Sequence, residues 1–197
     1  VTAKLSSVAT MVEARVHQWA EIRLTSLRIL ASSVSEAAAA LASDSNLSGA
    51  RETLQVQLET VLEQDEAFRR LAFFDPHGQV LVSTSAVDLS SEEIAAILGA
   101  GSGVHVTSLD PSVEEGIVVT QRLASSEEEP VGLLVGWVGL STLSDQLRVP
   151  REVGDGSEIY LVDQSGAALP QMARVYSPGI EAALSGEELE GLYQNYA

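Results

Sequence analysis

The sequence predicts an α+β fold: a long N-terminal helix, an antiparallel sheet of five short strands with flanking helices, and then the start of a second unit of the same kind. Three observations carry this. Apolar residues recur at steps of three and four through about the first 40 residues, with no Gly or Pro among them. The period then shortens to that of strands separated by turn-forming residues. Finally, the first hairpin of the chain is written a second time near its end.

The first helix is expected over residues 3–43, with Leu5, Val8, Val12, Val16, Trp19, Ile22, Leu27, Leu30, Val34 and Leu41 as its apolar face. At 1.5 Å per residue it runs about 60 Å, longer than a small domain is wide, so a dimer seam along this stripe is expected. Ser43-Asp44-Ser45-Asn46 supplies cap and turn residues, and a second helix follows over 48–66 with Leu54, Leu58, Val61 and Leu62 inward. Residues 71–74 and 79–83 read as a hairpin around Asp75-Pro76-His77-Gly78. Ser90-Ser91-Glu92-Glu93 opens a short helix through Leu98, with a capping residue and an acidic first turn, and the glycines of 99–103 end it. Strands are expected over 104–109, 116–124 and 131–140, joined by polar, Pro-containing links, and a short helix over 141–147 closes the unit.

After a linker at 150–156, Ile159-Tyr160-Leu161-Val162-Asp163 repeats the pattern of residues 71–75, and Asp75 and Gly78 recur as Asp163 and Gly166, 88 residues on in both cases. An Asp side chain caps such a turn and Gly supplies its positive φ. Two copies with matching flanks indicate tandem modules. The expected organisation is therefore a stalk or dimerisation helix (1–47), a first module (48–150) and a truncated second module (151–197). Both ends of the chain read as cuts from a longer protein.

Composition removes several function classes. The 197 residues carry a net charge of −17, the opposite of what a phosphate backbone or an anionic membrane surface attracts. Cysteine is absent, so there is no thiol nucleophile, disulfide or thiolate metal site. His17, His77 and His105 are scattered, and neither a metal nor another cofactor is expected. No phosphate loop, nucleophile elbow or dinucleotide fingerprint occurs, and the reading is of a non-enzyme. The longest uncharged apolar run, 131–144, is short of the about 20 residues a spanning helix needs.

The layout resembles the Cache superfamily, specifically the double-Cache (PDC-type) sensor region of bacterial transmembrane receptors. The similarity lies in residues 71–82 with the Asp75-x-x-Gly78 turn, in residues 131–143, which are similar to the closing strand and helix of a Cache module, and in residues 177–193, which are similar to the start of a membrane-proximal module. The resemblance implies PAS-like modules and an extracytoplasmic sensor region of a histidine kinase, cyclase or chemoreceptor, anchored in the membrane. The Tyr, Arg, Trp, Tyr, Asp signature of the amino-acid-binding subgroup has no match, since residues 104–124 hold Arg122 but no Trp-Tyr pair, and this leaves the ligand open.

Alternation places His105 and Thr107 on one face of their strand and Thr120 and Arg122 on one face of the next, with Trp137 on the last strand. An Arg with hydroxyls over a concave sheet suits a carboxylate or an amino acid, and these five residues are the candidate ligand site. The competing reading leaves His105 and Arg122 facing solvent. Two other functions stay open at this point: a structural, dimerising ectodomain with no small ligand, and a cytosolic PAS- or GAF-type regulatory domain.

Overall fold

The computed structural model describes residues 2–44, 47–107, 116–124, 130–147, 161–162 and 168–169. The chain forms two compact units, one of Ala20–His105 with Ile117–Gly139, the other of Val1–Trp19, Val106–Gly116 and Leu140–Ala197.

Helix α1 spans Thr2–Ser43 and α2 spans Ser48–Gln64. The buried side of α1 from Leu24 onward is Leu24, Leu27, Leu30, Val34, Ala38 and Leu41. Ile22, expected on the inward stripe, is instead 48% exposed. At 100° per residue the buried set centres well away from position 22, and Leu24 takes the inward place. Helix α2 buries Leu54 and Leu58 and packs on the first two strands. The Arg23–Asp65 ion pair (3.8 Å) joins α1 to the end of α2.

The sheet has β1 (Phe68–Phe74), β2 (Val80–Ser83), β3 (Gly103–Val106), β4 (Ile117–Ala124) and β5 (Pro130–Val138), in the order β2-β1-β5-β4-β3. The last strand in sequence thus lies in the middle, antiparallel to both β1 and β4. Strand β1 begins before the apolar run at Leu71, because a bulge between Phe68 and Arg70 lets the ladder continue past two arginines. Strand β3 is shorter than expected and stops at Val106. Helix α3 (Ser91–Ala100) carries the predicted start: Ser90 Oγ accepts from the Glu93 amide and the Glu93 carboxylate accepts from the Ser90 amide. The Ser90 hydroxyl also donates to the Glu93 carboxylate (2.7 Å), and this bond foremost, with that from the Ser90 amide, holds the Glu93 carboxyl below its ordinary pKa.

In the other unit, Val8, Val12 and Trp19 of α1 are buried, as are Leu140, Leu143 and Leu147 of α4 (Leu140–Ser144) and the 3₁₀ turn that follows it. Arg15 donates to the Gln146 carbonyl. Strands β6 (Leu161–Val162) and β7 (Ala168–Leu169) form the repeated hairpin, and its Val162↔Ala168 pair is the Phe74↔Val80 pair of β1 and β2 moved 88 residues along. Residues 177–193, likened above to the start of a membrane-proximal module, lie outside the described residues, and the module boundaries drawn above are tested by neither unit.

The β1–β2 turn follows its sequence signature. Asp75 Oδ1 accepts from the amides of His77 and Gln79, and Gly78 has φ +87°. Gly78 is needed twice over, since a Cβ there would sit 2.7 Å from Ile94 Cγ2 and 3.0 Å from Leu98 Cδ1 of α3. Gly101, after α3, also has positive φ (79°) but has nothing within 4 Å of a built Cβ. Gly101→Ala is expected to cost only its backbone term, about 1–3 kcal/mol for φ 79°, ψ −159°, whereas Gly78→Ala adds about 1–3 kcal/mol of overpacking to its own positive-φ term. Urea denaturation of the two variants checks the order, and equal losses would refute the packing argument.

Candidate functional site

The register fixes which side chains share a face. Arg70, Trp137 and Val118 lie in one row across β1, β5 and β4. Ala72, Val135 and Thr120 form the next, and Phe74, Leu133 and Arg122 the third. The apolar members of these rows form one buried cluster with Ile97 of α3, and Val80, Val87, Leu89, Ile94 and Leu98 pack against it. The face is thus covered by α3 and by the segment 84–89. Phe74 and Trp137 meet at 6.4 Å between centroids, inclined at 46°. On the opposite face, Gly136 leaves the room that the Phe68 ring and Leu71 occupy.

Thr120 is the one buried polar residue among the described residues. Its hydroxyl has a single hydrogen, and the Gly101 carbonyl, which can only accept, takes it. The His105 Nε2 at 3.0 Å must then donate to the hydroxyl oxygen, so His105 carries a proton on Nε2. Arg122 Nη2 donates to the Leu98 carbonyl at the end of α3 (2.9 Å), and the Arg122 amide donates to Ser102 Oγ (2.9 Å). A cation at a helix C-terminus satisfies a carbonyl that has no partner within the helix and favours the helix dipole.

Four of the five candidate residues therefore meet on one face. His105, Thr120 and Arg122 are joined to the end of α3 rather than set around an open space, and Trp137 is packed beneath. His105 is half-buried and Arg122 exposed. Thr107 stands apart: it lies past the end of β3, exposed, with its amide donating to the Gly116 carbonyl (2.9 Å). Sequence reasoning passed over Arg70, which is half-buried with its guanidinium 4.2 Å from the Trp137 ring centroid and its Nη1 donating to the Ala86 carbonyl (2.7 Å). The signal was available only through the bulge at Arg69, which turns Arg70 onto this face. Among the described residues, no group of three His, Asp or Glu could hold a metal ion, and no helix is long and apolar enough to cross a membrane.

No protein-family model matches the chain, and no curated protein matches it in sequence. Solved structures do. The extracellular domain assigned to a histidine kinase, vpHK1S-Z8, superposes with a TM-score of 0.63 at 12% identity, over 87% of this chain and 70% of that one. The ligand-binding domain of the Pseudomonas aeruginosa PAO1 amino acid chemoreceptor PctC, solved with GABA, gives 0.60 at 18% identity, over 86% and 74%. That of PctB from the same organism, solved with L-Arg, gives 0.59 at 18%, over 88% and 71%. The chain shares its fold with these extracellular and ligand-binding domains. The resemblance read from the Asp75-x-x-Gly78 hairpin and the 131–143 segment is a resemblance in three dimensions as well.

Thr120→Val removes the hydroxyl while keeping the volume, and so leaves the Gly101 carbonyl and the His105 N–H without their partner. A loss of about 1–3 kcal/mol is expected, against about 1 kcal/mol for Thr120→Ser, which keeps the bonds. Urea denaturation separates the two; a Val variant as stable as the wild type would refute the role given to this hydroxyl.

Proposed function

We propose that this chain is the extracytoplasmic sensor region of a bacterial transmembrane receptor, a binding module that detects a small molecule on the α3 face of its sheet and passes a displacement on through its helices. The observation that carries the reading is the shared fold with extracellular domains of a histidine kinase and of amino acid chemoreceptors over most of this chain. The site supports it: one face of the sheet is roofed by a short helix whose exit is fastened by Thr120, His105 and Arg122. A ligand entering under α3 strains those bonds, and a shift of α3 reaches β1 and β2 through the Gly78 turn. GABA and L-Arg in the PctC and PctB domains make amino acids and related carboxylates the first class to try. A thermal-shift screen of amino acids, carboxylates and purines tests the reading. A ligand at about 100 times its Kd adds about 2.7 kcal/mol, a shift of several degrees. No shift with any member of the screen would contradict it.

We also propose a homodimer through α1, by a face that keeps Ile22 of the expected stripe and adds Ile29, while Leu27, Leu30, Val34 and Leu41 pack inward. Ile22 and Ile29 are 48% and 67% exposed, one heptad apart on one side of the helix. Sedimentation equilibrium is expected to show a dimer that Ile29→Glu converts to monomer. A wild-type monomer across the micromolar range would rule this face out.

A further inference from the structure

We propose that residues 85–100 form a lid: α3 lifts from the sheet as an intact, capped helix, pivoting on its exit, and the sensing surface is reached only while it is open. The lid deepens the sensor reading above and rests on it for its purpose.

The surface beneath is closed. Ala72 and Val135 are 0% exposed and Phe74 1%, so a molecule meets them only when what covers them moves. The cover is lightly held. In α3, Ile97 alone is buried, Ile94 and Leu98 are half-buried, and the other residues face solvent. Segment 85–89 has neither helix nor strand and no buried side chain.

The two ends of α3 are held differently. Its start is self-contained. Ser90 Oγ accepts from the Glu93 amide, and the Glu93 carboxylate accepts from the Ser90 amide (2.8 Å) and hydroxyl (2.7 Å). These partners belong to the helix and its cap, so they travel with it, and lifting the start breaks none of them. The exit is tied to β4. The Gly101 carbonyl accepts from Thr120, the Leu98 carbonyl from Arg122 Nη2 (2.9 Å), and Ser102 Oγ from the Arg122 amide (2.9 Å). Gly101, at φ 79° and ψ −159°, sits in a backbone region essentially closed to other residues, and a Cβ built on it has nothing within 4 Å. Its carbonyl is fixed to the sheet, while its N–Cα bond, on the α3 side, turns with no side chain to collide. Thr84 is the fixed point before the lid: its amide donates to the Leu71 carbonyl (3.0 Å) and its Oγ1 accepts from the Leu71 amide (3.0 Å).

Opening gives up the apolar contacts of Val87, Leu89, Ile94, Ile97 and Leu98 and the Arg70–Ala86 bond (2.7 Å), which lies at the surface, where water replaces it. A segment with so few buried contacts opens at a free energy well below that of global unfolding.

The chain has no cysteine, so single-cysteine variants of the whole protein each report opening at one place. Leu71 and Ala72 are neighbours on β1, both 0% exposed, on opposite faces of the sheet. Labelling of Ala72→Cys and Leu71→Cys by a thiol reagent is followed without ligand across low urea. Ala72→Cys is expected to label at least about 10-fold faster, with a smaller urea dependence, because lifting the lid exposes less surface than unfolding the unit. Val135→Cys, on the same face, repeats the measurement should sulfur at position 72 overpack. Ile97→Ala is expected to raise the Ala72→Cys rate by at least about 10-fold, since opening breaks its contacts. Thr120→Val is expected to raise Leu71→Cys labelling by about 10- to 100-fold and to leave Ala72→Cys within about threefold, because the exit bonds persist in the open state. Equal rates and urea slopes for the two faces overturn the lid. A Thr120→Val effect as large on Ala72→Cys as on Leu71→Cys overturns its pivot. Neither result touches the sensor reading, which the thermal-shift screen decides.

Discussion

The unit that carries the sheet depends on the burial of one strand on both faces. Strand β5 lies between β1 and β4, and from Val131 to Val138 every residue is buried. Leu133, Val135 and Trp137 meet α3 and the segment 84–89, while Leu134, Gly136 and Val138 point the other way. A strand buried on both faces must be uniformly apolar, which is why 131–138 reads as a continuous run rather than an alternation. It must also leave room. The Phe68 ring occupies the space a side chain at position 136 would fill. Because β5 is last in sequence but central in space, neither β1 nor β4 has its full set of ladder partners until it arrives. The fold thus closes only through contacts distant along the chain.

From that constraint follows the division of labour around the sheet. The face toward α3 is closed by a small number of directed bonds at its margins: Thr120 and His105 at the exit of α3, Arg122 at its last carbonyls, and Arg70 on the segment before it. The middle is apolar contact, which has no direction of its own. A roof held this way has few ways to move. It can lift where a polar bond exchanges its partner, and the two arginines offer unequal opportunities: Arg122 holds a helix end, Arg70 holds a loop. An irregular segment costs less to displace than a helix, because fewer backbone bonds go with it.

Much of the fold was legible because its signals are local. The Asp75-x-x-Gly78 turn, the Ser90 and Glu93 capping box, and the uninterrupted first helix each depend on residues a few positions apart, and each forms as expected. The site was half legible. Alternation correctly put Thr120 and Arg122 on one face, but what they bond to, the carbonyls of Gly101 and Leu98, is set by how α3 docks, and no spacing encodes that. Arg70 was hidden by the bulge beside it, which breaks the two-residue period on which the reading relied. Ile22 was misplaced for a related reason. Steps of three and four define a helical stripe only on average, and over a long helix the inward face drifts past individual residues.

Amide hydrogen exchange, with and without the compound that gives the largest thermal shift, tests most directly whether the α3 face is the sensing surface. The change is expected to be concentrated in residues 84–101 and in β5 beneath them, since these are the groups that roof and floor the site. A change confined to α1 and α2, with residues 84–101 unaltered at saturation, would contradict it.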